Sequence, residues 1–470
     1  MLEFFSPPAA KPRLADDKID GEYRRMRLKV FLGAFFGYAA YYLVRKNLSL
    51  AAPGMMEDGL LDKETAGFAM AGIPIAYAFS KFLMGSLSDH SDARKFLVVG
   101  LIIASSVMAA VGLIPYSASI AVNGGILFAF MLAVGWLSGM GWPPCGRIMA
   151  HWFSQNERSF KMSIWNCSHN VGGGSLGLLV SAGVVVFASM GIAESWRAAF
   201  IFPSVVAILF AAFCWWTLRD TPESCGLPPI EEYRNDYTSR KAAAGEETTI
   251  PFRRLFVDYV FKNHLLWMIA IANVFVYFIR YGISDWSPTY LQDMQIMSAS
   301  ESRVAFSLFE YAGIPGTIIC GWLSSRFFQG RCAPVNVIYM LMVLVGVLCY
   351  WQADAVASVF GGEAALPMVI YFSLGLTGFA VYGPIALIGI QALSFVPKNA
   401  AGTAAGFVGL FGYLLGDALL SKIIVGQVAG SDLGWGVTFW MFTAACVIAT
   451  VICAVTWRKE LHVMRERLQQ

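Results

Sequence analysis

Long apolar stretches separated by short polar turns dominate the chain. The runs at 98–114, 199–218, 265–279 and 437–457 each approach the roughly 20 residues that carry a helix across a bilayer. Apolar length read against the polar breaks predicts twelve spans, at 29–52, 65–87, 95–116, 124–148, 161–188, 198–218, 263–291, 301–326, 335–352, 364–390, 399–424 and 435–457. An even number places both chain ends on one side of a membrane. Pro143, Pro144 and Pro384 fall within spans 4 and 10, and predict breaks there on which packed halves can rock.

Composition agrees with the pattern. The chain is 57% hydrophobic and only 14% charged, with a mean hydropathy of +0.59, whereas soluble proteins are about a quarter charged. A net charge of +3, spread in short clusters, excludes a nucleic-acid partner. The location of the basic residues says more. Segments 1–29, 219–262 and 458–470 hold seven, seven and four Lys and Arg, and the opposite set of loops holds only Lys63 and Arg197. That asymmetry predicts that both termini and the 219–262 segment are cytoplasmic. The opening residues carry no short apolar stretch with a small-residue cleavage site, so the first span is expected to serve as the insertion signal. The nine cysteines form no C-x-x-C pair, which leaves them as small packing residues or free thiols and indicates neither a disulfide framework nor a metal site. Nothing matches a phosphate-cradling G-x-x-x-x-G-K-S/T loop, so solute gradients and not ATP must drive any transport. No cofactor motif is present.

The polar 219–262 segment divides the chain into a tail at 1–28, a six-span half at 29–218, a linker, a second six-span half at 263–457 and a tail at 458–470. The halves share features at one offset. Tyr42-Leu-Val-Arg45 recurs as Tyr277-Phe-Ile-Arg280, and Pro53 as Pro288, all 235 residues on; Gly85-Ser-Leu-Ser88 recurs as Gly321-Trp-Leu-Ser324, 236 residues on. A common offset of half the chain length predicts a duplicated bundle with two pseudo-symmetric halves.

An all-α membrane protein of two six-helix bundles resembles the major facilitator superfamily. Gly85-Ser-Leu-Ser-Asp89-His90 with Arg94 is similar to that superfamily's loop between spans 2 and 3, although His90 stands where a fixed cation is usual and Ser325 replaces the acid in the second copy. By this resemblance Asp89 belongs to a charge-pair gate. The segment Arg158-Ser-Phe-Lys-Met-Ser-Ile-Trp165-Asn166-Cys-Ser-His169-Asn170-Val-Gly172-Gly173 resembles the signature of the organophosphate:phosphate antiporters, departing from it only at Ser159. Gly37-Tyr-Ala-Ala-Tyr-Tyr-Leu-Val-Arg45-Lys-Asn, Gly139-Met-Gly-Trp-Pro-Pro-Cys-Gly-Arg147, Phe275-Val-Tyr-Phe-Ile-Arg280-Tyr-Gly-Ile-Ser-Asp285-Trp-Ser-Pro and Glu310-Tyr-Ala-Gly-Ile-Pro-Gly-Thr are similar to members of that family that carry glycerol 3-phosphate. The resemblance implies glycerol 3-phosphate and inorganic phosphate as the exchanged solutes, Arg45 and Arg280 as phosphate ligands with His169 nearby, aromatic residues along the path, a bacterial inner membrane, and a monomer with no obligate protein partner. Hexose phosphates, or a transporter-like sensor of phosphorylated sugars, are the rival readings. A membrane enzyme is a third, but no nucleophile with its base is in view.

The residues support the arginine pair independently. A phosphate monoester carries about −1.5 to −2 charge at pH 7, and leaves water only where fixed cations replace its hydration. Guanidinium keeps its proton when desolvated and offers a planar fork to two oxygens. Arg45 alone also fits a cation snorkelling to the interface; its match with Arg280 favours binding. Adjacent helical residues point about 100° apart, so Lys46 is expected to be peripheral or gating. His169 is expected to add a pH-dependent donor, against the alternative of a packing histidine. Tyr38, Tyr42, Tyr77, Tyr277 and Tyr382 offer hydroxyls on apolar bodies, and each also fits simple packing. Tyr38, Tyr42 and Arg45 share one helical face. Lys81 reads as an entry-path cation or a snorkelling one, and Asp285 and Glu310 as acids that hold cations until phosphate arrives. Asp417, at membrane depth in span 11, suggests no role.

Overall fold

The computed structural model describes residues 3–192, 194–236, 257, 260–396 and 401–469, and all regular structure among them is helical. Eleven helical units are long and apolar enough to cross a membrane. Span 1 falls outside that set because a turn at 43–46 cuts its apolar run into two helices, Asp16–Tyr42 and Asn47–Glu57. With span 1 added, the twelve predicted spans are present within a few residues of their expected ends.

Proline acts differently in two of them. Span 4 divides into Ile120–Ser138 and Trp142–Trp152, and Pro143 and Pro144 open the second helix, where their missing N–H groups would be unbonded anyway. Span 10 instead runs unbroken as Leu366–Ser394 through Pro384, which corrects the expected break. Neighbouring helices can take up the carbonyl that such a proline frees. Span 11 is Ala401–Phe411, a π-helical segment Gly412–Ile424, and Val425–Gly430. Span 12 continues as one helix, Gly434–Gln469, so 458–469 extends it instead of forming a separate tail.

Each half packs chiefly within itself, as in the contacts of span 2 with span 4 and span 8 with span 10. Between halves, span 2 (Lys63–Asp89) meets span 11, span 8 (Ala299–Phe327) meets the second helix of span 5 (Ser168–Ser189), and Asn47–Glu57 meets span 7 (His264–Asp293). The two ends of this interface differ. At the face remote from the chain termini, glycines let backbones touch: a Cβ on Gly67 would collide with the Lys422 carbonyl oxygen, and one on Gly426 would lie 2.7 Å from the Lys63 carbonyl oxygen. The same face is tied by Lys63 to Asp293 at 2.7 Å, with Trp435 Nε1 donating to Asp293 at 2.7 Å. At the terminal face, a Cβ on Gly85, Gly321, Gly389 or Gly409 would meet nothing within 4 Å. The bundles are sealed at one face and loose at the other.

The linker begins as part of the first half. Asp220 receives the Arg147 guanidinium at 3.0 Å and the backbone N–H of Ala93 at 3.0 Å. Tyr23 stacks on Tyr233 with ring centres 3.9 Å apart, and Leu14 N–H donates to the Gly226 carbonyl at 2.9 Å. Gly226 has φ of 78°, a conformation open to glycine at little cost. The remainder of the expected linker, 237–256 with 258 and 259, lies outside the described residues, as does Lys398.

Candidate functional site

Midway through the interface, the turn at 43–46 presents Arg45 and Lys46 to the second half. The helical-face argument for Lys46 fails here, because neither residue is in helix. Lys46 is buried, 7% exposed, and its Nζ lies 2.8 Å from Asp285 Oδ1, 2.8 Å from Glu310 Oε1 and 2.8 Å from Ser284 Oγ. The expectation of a peripheral cation is therefore corrected: Lys46 is the centre of a charge network joining the halves. Asp285 and Glu310 hold a cation as expected, and Ser284 Oγ donates to Asp285 Oδ1 at 2.7 Å.

The arginines are differently placed. Among the described residues neither forms an ion pair with a carboxylate within 4.0 Å. Arg45 lies over the rings of Tyr77 at 4.2 Å and Tyr42 at 4.9 Å, so their π-faces lie against its charge. Arg280 is 4% exposed; its Nη2 donates to Tyr382 Oη at 3.0 Å, and its Nε is buried without a partner. Tyr382 in turn donates to Glu310. His169 bridges the two surroundings, its ring 5.6 Å from Tyr42 and 5.7 Å from Tyr382, while its Nδ1 bonds the Asn166 carbonyl. Arg45, Tyr42, His169, Tyr382 and Arg280 thus form one continuous wall drawn from spans 1, 5, 10 and 7.

Tyr38 joins this wall, packed on Tyr42 at 5.5 Å and stacked on Trp165 at 4.8 Å. Trp165 leads to Trp142 at 6.4 Å, and Lys81, exposed toward the loose face, lies 5.9 Å above the Trp142 ring. Tyr77 and Tyr277 meet through Tyr413, at 5.0 and 5.1 Å. Asp89 is exposed at the end of span 2. Its carbonyl accepts from Arg147, and among the described residues its carboxylate forms no ion pair; Asp220 takes that role beside Arg147.

Sequence reading missed Tyr281, Tyr413, Ser284 and Lys422. Tyr281 lies under Arg280 at 4.6 Å and Lys46 at 5.1 Å. Lys422 contacts Asp285 and lies 3.4 Å from Asp417. A lone lysine inside an apolar span was itself a signal. Its pairing with Asp417, five residues away, is hidden on an α-helical wheel.

Residues 34–421 match the Major Facilitator Superfamily. The glycerol-3-phosphate transporter of Bacillus subtilis (strain 168) is 46% identical over 457 residues, covering 97% of this chain and 98% of that protein. A probable hexose phosphate transport protein of Chlamydia trachomatis serovar D is 32% identical over 477 residues, covering 99% of this chain and 98% of that one. A solved structure of a bacterial homologue of the human lysosomal transporter Spinster, inward-facing and unoccupied, superposes with a TM-score of 0.64 at 16% identity, over 94% of this chain and 98% of that one. At that identity the likeness is one of fold.

Proposed function

Because the chain belongs to the Major Facilitator Superfamily, its spans are the walls of a transporter, and we propose that it imports sn-glycerol 3-phosphate across a bacterial inner membrane in exchange for inorganic phosphate. The reading rests on one observation above all: a single arginine from each half stands at the bundle interface without a carboxylate partner, joined to the other through Tyr42, His169 and Tyr382. Two guanidinium groups without counter-ions are a site awaiting an anion. The greater similarity to a glycerol-3-phosphate transporter than to a hexose-phosphate one favours the smaller ester.

The mechanism follows from charge. In the empty protein Lys46 is pinned to Asp285 and Glu310. A dianion entering from the loose face between Arg45 and Arg280 competes for Lys46 and loosens its hold on the second half. Tyr382, shared by Arg280 and Glu310, passes the shift in charge between them. The halves then rock about the bound solute, opening the sealed face as the loose one closes. Return without an anion would leave both arginines unpaired and facing each other, so one anion is traded for another. The terminal face is cytoplasmic in this reading, and the sealed face external.

Proteoliposomes loaded with labelled phosphate test the proposal. External glycerol 3-phosphate should release the label, and glucose 6-phosphate should compete weakly. Release driven better by glucose 6-phosphate would make the protein a hexose-phosphate exchanger, and binding without release would make it a sensor.

A further inference from the structure

Two buried charged groups have no task in this cycle: Asp417, 4% exposed, and Lys422, 3% exposed. Both lie in the π-helical Gly412–Ile424. Five residues along an α-helix turn through about 500°, which would point the two side chains well apart. A π-helix bonds i to i+5 and stacks such residues, so Lys422 Nζ lies 3.4 Å from Asp417 Oδ1. The segment is fixed by Trp286 Nε1 donating to the Ser421 carbonyl at 2.7 Å, and by the close approach of Gly67 to the Lys422 backbone.

This register gives Asp285 a lysine on each oxygen. Its Oδ1 meets Lys46, from the other half, at 2.8 Å; its Oδ2 meets Lys422, from its own half. Asp417 Oδ1 has no hydrogen-bond donor, and it faces a cavity of about 30 Å³ lined by Arg45, Lys46, Asp285 and Lys422. That is room for water and not for a phosphate ester. A carboxylate stripped of its one cation in a dry interior is strongly disfavoured. If Lys46 were the sole partner of Asp285, parting the halves would leave that bare charge behind.

We propose that Lys422 is a positioning residue for the transport cycle: it is the stand-in counter-ion that lets Asp285 release Lys46, and Asp417 sets how far it serves by drawing its ammonium aside. The proposal rests on the exchange reading above. Removing Lys422 should make Asp285 cling to Lys46 and hold the far face shut. Removing the charge of Asp417 should send Lys422 wholly to Asp285 and loosen Lys46.

The test is a distance measurement on the full-length protein without any substrate, between spectroscopic labels on non-canonical residues at positions 85 and 321, where added side chains meet open space. Lys422→Met should enlarge the long-distance population, in which the terminal face is open, and slow phosphate exchange about tenfold with little change in KM. Lys422→Arg should restore both. Asp417→Asn should shift the distances the opposite way, and keeps the proposal open to refutation if Lys422→Met does not fold. A wild-type distribution in Lys422→Met, an unshifted or equally directed one in Asp417→Asn, or no rescue by arginine would overturn it. Wild-type protein that fails to exchange phosphate sinks the transport reading, whereas the substrate-free distances judge Lys422 alone.

Discussion

Span 1 and span 7 began as copies, and their differences are where the two halves became partners. Tyr42 and Arg45 match Tyr277 and Arg280 at an offset of 235 residues. In span 7 the helix His264–Asp293 passes straight through its arginine, which is buried against Tyr382. Span 1 stops at Tyr42 and restarts at Asn47, leaving Arg45 in a turn between Tyr42 and Tyr77. Just beyond, the copies diverge: Lys46 corresponds to Tyr281, and Leu50 to Asp285. The two unmatched charges, Lys46 and Asp285, are the ones that meet across the interface at 2.8 Å. Duplication kept a cation on each side for a shared anion, and divergence supplied the tie that holds the empty halves together.

The charge balance shows the same division. At the site the first half contributes Arg45 and Lys46, or +2, while the second contributes Arg280 and Lys422 against Asp285, Glu310 and Asp417, or −1. The empty halves therefore attract, and their sum of +1 still favours an anion.

The matched pair gives the largest expected effect. Arg45→Lys and Arg280→Lys should each lower phosphate exchange in proteoliposomes by about 100-fold or more, since an ammonium keeps the charge but not the two-oxygen fork. Near-normal turnover of either variant would mean that the arginines are not equivalent ligands. A middle-sized effect belongs to the unmatched pair. Lys46→Met and Asp285→Asn should each slow exchange about tenfold, and the double variant should lose clearly less than the two losses combined, with a coupling of about 1 to 3 kcal/mol. Simple additivity in that cycle would show the contact to be idle. The smallest effect sharpens the contrast between the arginines' surroundings. Tyr382→Phe removes the hydroxyl shared by Arg280 and Glu310, and should cost several-fold in KM for phosphate, in line with about 1 kcal/mol for one hydrogen bond. An unchanged KM would remove Tyr382 from the binding wall.

Legibility followed the kind of quantity involved. The span boundaries, the break at Pro143-Pro144 and the arginine pair could be read from a line of residues, because apolar length, proline placement and an internal repeat are properties of the line. Lys46 could not be placed, since its assignment assumed a helix that the turn at 43–46 interrupts. Asp220 was passed over for Asp89, although Asp220 is the acid that holds Arg147. The proline rule also overreached at Pro384, where the helix persists within its packed surroundings.

By itself, then, the sequence determined a twelve-span protein of two related halves with one arginine in each copy of a shared segment. Only the tertiary structure decided which charges touch: Lys46 with Asp285 and Glu310 between halves, and Asp417 beside Lys422 within one. The physical reason is that hydrophobic partition acts on each stretch of chain separately, whereas an ion pair in a dry interior depends on a few ångströms of separation. That separation is set by where a helix breaks and by whether it winds as α or π.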